Sequence, residues 1–103
     1  METRERKRPP SHPGKVIRGL YLEPSSISIS TLSKVLGVSR KTVSRVVNEK
    51  SPVKADMALR LSRAFDTSPQ VWLNLQKNYD LWHAERHSED WQNVQSIEMR
   101  VSM

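Results

Sequence analysis

Apolar residues recur at helical spacing along most of this chain, and polar caps or glycine and proline breaks separate the runs. Val16, Ile17, Leu20 and Tyr21 fall on one face of a first helix, with Ser11 as its expected cap and Pro13 in its first turn. That helix should end before Glu23-Pro24, because the residue ahead of a proline avoids the α region. After a serine-rich linker, Leu32, Val35 and Leu36 repeat at i, i+3, i+4 and predict a short second helix that stops at Gly37. Ser39 then caps a third helix, Arg40 to Asn48, whose apolar stripe is Val43, Val46 and Val47. Valines are mediocre helix formers, so tertiary packing must hold this element.

A fourth helix buries Met57, Ala58, Leu61, Ala64 and Phe65. Two starts fit it, a cap at Ser51-Pro52 or one at Lys54 with Asp56 in the first turn. Thr67-Ser68-Pro69 opens a long fifth helix with Ser68 as cap, and Trp72, Leu75, Tyr79 and Trp82 lie along one side of it. A split is expected along that row, with Trp72 and Leu75 in the core and Tyr79 and Trp82 nearer a dimer interface, since a small monomer would otherwise expose much aromatic surface. Trp91, Val94 and Ile97 are spaced by three and read as a weak sixth helix, able to cap the core, extend a dimer or bind a partner. No alternating run supports a sheet. The fold class is all-α, with five or six helices.

The chain has 103 residues, enough for one modest core, and the expected organisation is an unstructured basic arm over 1–10, one domain over 11–87, and an extension over 88–103 that makes dimer or partner contacts. The arm fits three readings equally: a free tail, a minor-groove finger, or part of a protein contact. There is no cysteine, which excludes disulfides and thiolate metal sites. No apolar run approaches membrane-spanning length and no signal-type stretch follows the charged start, so a soluble cytoplasmic protein with no membrane partner is expected. No cofactor motif, nucleophile–base set or paired carboxylates appear, and an enzyme is not expected. His83 and His87 sit four apart near Asp80 and Glu85, but two histidines on a polar helix end compel no third ligand, and no metal site is expected there.

Charge sharpens the picture. Of the net +6, residues 1–50 carry 11 Lys/Arg against 4 Asp/Glu, and no acidic residue lies between Glu23 and Glu49. A basic half with this distribution points to a polyanion, because neutralising phosphates releases condensed counterions. If the three valines of the third helix face the core, then Arg40, Lys41, Thr42, Ser44 and Arg45 face outward from a helix that follows a glycine turn. An α-helix fits the DNA major groove, and the N-terminal part of the second helix of a helix-turn-helix reaches base edges. Arg40, Lys41, Arg45 and Ser44 are therefore the candidate base contacts. Ser39 and Thr42 near the helix N-terminus, and Asn48 and Lys50 beyond its far end, are the candidate phosphate contacts. Tyr79, Trp82 and Trp91 are the candidate dimer residues.

Leu32 to Arg45, with its glycine turn, the Val38-Ser39 that follows and the β-branched Val43, resembles the Xre/Cro (lambda-repressor-like) family pattern. Ser33 stands where that family usually has alanine, and Glu49 where it often has glycine. Ser11-His12-Pro13-Gly14, Met57 to Leu61 and Asp66 to Leu81 narrow the resemblance to the HigA/VapI group of antitoxins. The resemblance implies a homodimer that binds a palindromic operator as double-stranded DNA, represses its own operon, and neutralises a HigB-type mRNA-cleaving toxin. A stand-alone Xre-family repressor without a toxin is the alternative.

Overall fold

The computed structural model describes residues 8–98. Within them the chain forms five helices and no strand: α1 (Pro13–Ile17, continued by a π-helical turn Arg18–Leu22), α2 (Ile29–Leu36), α3 (Arg40–Val47), α4 (Ala55–Phe65) and α5 (Pro69–His87). The expected sixth helix is a single 3-10 turn, Asp90–Asn93. Val94 and Ile97 beyond it are 77% and 78% exposed, so no packing extends the turn into a helix. The arm expected over 1–10 lies mostly outside the described residues. Of its described end, Arg8 and Pro9 are exposed and Pro10 is buried.

The cap of α1 differs from expectation. Ser11 is exposed, and His12, extended at φ −65° and ψ 144°, takes the role: its Nδ1 accepts a hydrogen bond from the Gly14 amide at 2.9 Å. With Pro13 as the first helical residue, the cap must be the residue directly before it. The π turn that follows accommodates an extra residue, which shifts the apolar register. Ile17 and Leu22 are buried and Tyr21 stacks on Phe65 at 3.9 Å, whereas Leu20, expected on the same face, is 66% exposed.

Ser28 caps α2 through the Thr31 amide (3.0 Å), and α2 ends at Gly37, φ 72°, whose left-handed conformation lets Gly37 and Val38 donate to the Ser33 carbonyl at 2.9 and 3.1 Å. Leu32 and Leu36 are buried as expected. Val35 is not; at 63% exposed it lies on the outer side of a helix too short to be covered all round. Ser33 is buried and its hydroxyl donates to the Ser30 carbonyl at 2.7 Å, so the serine fits an alanine-sized space with its polar group satisfied.

Ser39 caps α3 through the Thr42 amide (3.1 Å), and Val43, Val46 and Val47 are all buried. Of the two starts for α4, the structure takes Lys54, without a side-chain cap but with Asp56 in the first turn. Ser68 and Pro69 open α5 as expected. α3 packs against α1 and α2, and α4 against α2 and α5. Trp72, Ile17, Leu61, Val43 and Val47 fill the centre. Leu75 is half-buried at its edge.

Candidate DNA interface

The burial of the valine stripe fixes the orientation of α3, and the side chains between the valines face solvent. Arg40, Lys41, Thr42 and Arg45 are exposed and Ser44 is half-buried. A shallow groove between the start of α2 and α3 is lined by Ile29, Ser30, Arg40, Lys41 and Ser44. The Ser39 and Thr42 hydroxyls lie 2.9 Å apart at the N-terminus of α3, where helix amides favour an anion.

Two arginines that sequence pattern alone does not single out set the pose of this helix. Arg60 on α4 donates from Nη1 to the Leu36 and Gly37 carbonyls (2.7 and 3.4 Å) while its Nε pairs with Asp56 at 2.7 Å, which ties the turn between α2 and α3 to α4. Arg18, at the start of the π turn, donates from Nη2 to the Val47 carbonyl (3.3 Å) and to Asn48 Oδ1. Cations thus satisfy the orphan carbonyls at the C-terminal ends of both helices of the motif. Asn48 in turn donates to Ser44 Oγ at 3.1 Å, so the candidate phosphate contact Asn48 is joined to the candidate base contact Ser44. Because Ser44 Oγ accepts there, its own O–H is left to donate outward, which suits an acceptor on DNA.

The loop after α3 turns through Glu49, at φ 63°. A glycine takes this left-handed conformation without steric cost, and here a glutamate adopts it, held by Lys50 and Ser51 amides that both donate to the Arg45 carbonyl (2.7 and 3.2 Å). Lys50 is exposed.

The family described as helix-turn-helix matches residues 20–72, which contain α2, α3 and α4. A helix-turn-helix-type transcriptional regulator of Haemophilus influenzae is 39% identical over 90 residues, 87% of this chain and 84% of the relative. Antitoxin HigA-1 of Vibrio cholerae is 34% identical over 95 residues, 91% and 90% of the two chains. The chain belongs to the Xre-like helix-turn-helix family, in its HigA-type branch. Among solved structures, antitoxin GraA in complex with its operator superimposes with a TM-score of 0.82 at 38% identity, covering 95% of this chain and all of that one.

Within this HigA-type fold the residues expected at a dimer interface are placed unequally. Tyr79 is half-buried between rings, edge-on to His12 at 4.9 Å and tilted against His83 at 4.3 Å. Trp82 is half-buried beneath the Arg86 guanidinium, 4.0 Å from its ring centroid, and its indole N–H has no acceptor among the described residues. Trp91 stands 49% exposed on the 3-10 turn. His83 and His87 face each other edge to face at 5.9 Å, and no group of three potential ligands is arranged to hold a metal ion among the described residues. None of the described helices is long and apolar enough to cross a membrane.

His12 links the fold to pH. Burial pushes its pKa below the ordinary value of 6.5, against the opposing pull of the Glu49 and Asp80 charges and a Ser51 backbone hydrogen bond. Protonation would also place a hydrogen on the Nδ1 that accepts from Gly14. Between the lowered folded value and 6.5 the unfolded chain binds the proton and the folded one does not. The His12 contribution is therefore fully present above pH 6.5 and is lost as pH falls through the folded value. His12→Asn keeps a capping acceptor without titrating. Urea denaturation between pH 7.5 and 5 should show a shallower loss of stability in that variant than in the natural chain; parallel curves would rule His12 out as the source.

Proposed function

We propose that this chain is a dimeric, sequence-specific DNA-binding protein that represses its own operon and neutralises a HigB-type mRNA-cleaving toxin as the antitoxin of a type II pair. The observation that carries the reading is the outward face of α3: Arg40, Lys41, Ser44 and Arg45 stand on a helix buried through its valines, within a 25-residue stretch between Glu23 and Glu49 that has no acidic side chain. The operator-bound state of GraA, a relative of the same fold, supports it, and the antitoxin name of the Vibrio cholerae relative supports the toxin-binding half. The name of the Haemophilus influenzae relative favours a second reading, a stand-alone Xre-family repressor without a toxin. A small basic ribonuclease-like reading frame beside the gene separates the two.

In this proposal Arg40, Lys41, Arg45 and Ser44 read base edges, and Ser39, Thr42, Asn48 and Lys50 contact phosphates. Tyr79, Trp82 and Trp91 lie at the dimer seam, where a second copy supplies the acceptor that Trp82 lacks. The units are an arm (1–10), the helix-turn-helix domain (11–87) and a partner-contacting extension (88–103). The partners are double-stranded DNA with a palindromic operator, a second copy of the chain, and the toxin. Half-sites lie about 34 Å apart, one turn of B-DNA. The protein works in the cytoplasm, without a cofactor, as a binding protein and not an enzyme.

The test is a salt-dependent titration of DNA from upstream of the gene with the natural chain and with an Arg40→Ala/Arg45→Ala double variant. Each arginine should contribute roughly 1–3 kcal/mol of base discrimination, so the pair together should cost between about 30-fold and 10⁴-fold in affinity and relax sequence preference. Equal, small losses on every sequence would reduce these arginines to general cations.

A further inference from the structure

Arg45 is held differently from its neighbours on the recognition face. Its Nε–H donates to Ser51 Oγ at 2.9 Å and its Nη2 to the Lys50 carbonyl at 3.3 Å. Those two N–H groups form the side-on edge of the planar guanidinium. The end-on edge, with one N–H from Nη1 and one from Nη2, has no partner among the described residues. Two parallel N–H donors of this kind match the O6 and N7 acceptors of a guanine in the major groove.

The loop that presents Ser51 is fixed without help from the guanidinium. On one side, the Lys50 and Ser51 amides donate to the Arg45 carbonyl. On the other, the Val53 amide donates to Oε1 of Gln76 at 2.8 Å, in a buried bond from α5, and Gln76 Nε2 is itself held by Asp80 Oδ1 at 2.9 Å. The backbone that carries Ser51 is thus held in place, and its hydroxyl is an acceptor against which a long, flexible side chain is aligned.

We propose that Ser51 is a positioning residue for sequence readout: together with the Lys50 carbonyl it holds the side-on edge of Arg45 so that the end-on edge is presented to a guanine. This rests on the reading of α3 as the recognition helix. Much of the rotational freedom that an arginine loses on binding DNA is removed before DNA arrives, so the contact discriminates more sharply than one made by a free arginine. Arg40 has no such brace among the described residues.

The full chain is first used to select its preferred duplex from a randomised library, and selection by Arg45→Ala identifies the guanine whose identity is relaxed. Affinities of the natural chain, Ser51→Ala and Ser51→Thr are then measured on the selected duplex and on one with 7-deazaguanine at that position, where N7 is replaced by C–H. Ser51→Ala should lose roughly three- to tenfold on the natural duplex, the scale of one hydrogen bond, with the salt slope unchanged because no phosphate contact is removed. Ser51→Thr, which keeps the hydroxyl, should recover most of the loss. On 7-deazaguanine, where only O6 can still accept from Arg45, the gap between the natural chain and Ser51→Ala should narrow. An equal loss on both duplexes, no loss on either, or a changed salt slope would overturn the positioning role while leaving α3 as the reader. If Arg45→Ala relaxes no position, or no duplex is selected, the recognition reading of Arg45 fails with it.

Discussion

Gly14→Ala is expected to destabilise the fold by more than about 3 kcal/mol, at or beyond the upper end of ordinary overpacking, because the new β-carbon meets backbone and no neighbouring side chain can yield. A β-carbon at Gly14 would sit 1.9 Å from the Val46 carbonyl oxygen, 2.9 Å from the Val46 carbonyl carbon and 3.0 Å from the Val47 α-carbon. The glycine is required here by the closeness of α1 and α3, not by an unusual backbone angle. Separating the helices would pull Val43, Val46 and Val47 from the core and tilt the recognition surface, so operator affinity should fall with stability. At about 4–8 °C per kcal/mol for a domain of this size, the melting temperature should drop by on the order of 12 °C or more. Gly19→Ala is the control: its β-carbon meets nothing within 4 Å, and thermal unfolding should barely move. A Gly14→Ala protein that melts with the natural chain would mean that α1 and α3 do not approach this closely.

Trp72→Ala should cost about 3–5 kcal/mol, a large part of the roughly 5–15 kcal/mol that holds a small domain together. The indole is among the largest side chains in the core and nearly solvent-free; it lies 6.2 Å from the ring of Tyr21 and 6.0 Å from that of Phe65, where α1, α4 and α5 meet. Its Nε1 donates to Thr67 Oγ1 at 2.7 Å, so the polar edge of the ring is satisfied just ahead of the Ser68 cap. Trp72→Phe keeps most of the buried area and removes only that bond and some volume, and should lose much less. Urea titrations should show the midpoint falling strongly for alanine and mildly for phenylalanine, with similar slopes. Equal losses would assign the importance of Trp72 to its hydrogen bond.

The contrast between these two sites shows what the sequence carries openly. Trp72 lies in a regular apolar row, and its burial follows from spacing alone. So do the valines of α3, the Ser39 and Ser68 caps and the Gly37 turn, because each depends on neighbours within a few residues. Gly14 is legible only through its place in the Ser11 to Gly14 segment; its closest contacts lie more than thirty residues away on α3. Separations of 23 to 30 residues likewise hide Arg18, Arg60 and Gln76. Two of these are cations that pattern reading assigns to a solvated surface, yet their donors end on helix carbonyls, and the third is a polar residue buried to satisfy the Val53 amide. The α-helical period places Leu20 and Val35 inside, yet both are exposed. A π turn breaks that period for Leu20, and Val35 sits beyond the reach of the core.

For the candidate interface, the outward placement of Arg40, Lys41 and Arg45 follows from the valine stripe. What spacing does not show is that Arg45 and Asn48 are already engaged within the chain. Such bonds depend on how the loop after α3 closes, and that closure turns on the left-handed Glu49, a conformation a glutamate does not advertise.

The π turn at Arg18–Leu22 also bears on how such a chain tolerates change in length. A π turn behaves as an α-helix that has absorbed one additional residue, so this segment can gain or lose a residue by rewinding locally instead of shifting everything downstream. Leu20 and Gly19, both exposed, are the natural places for such a deletion. Homologous chains one residue shorter here can therefore carry an unchanged recognition helix, and an alignment gap at this point marks a difference in winding and not in what the protein binds.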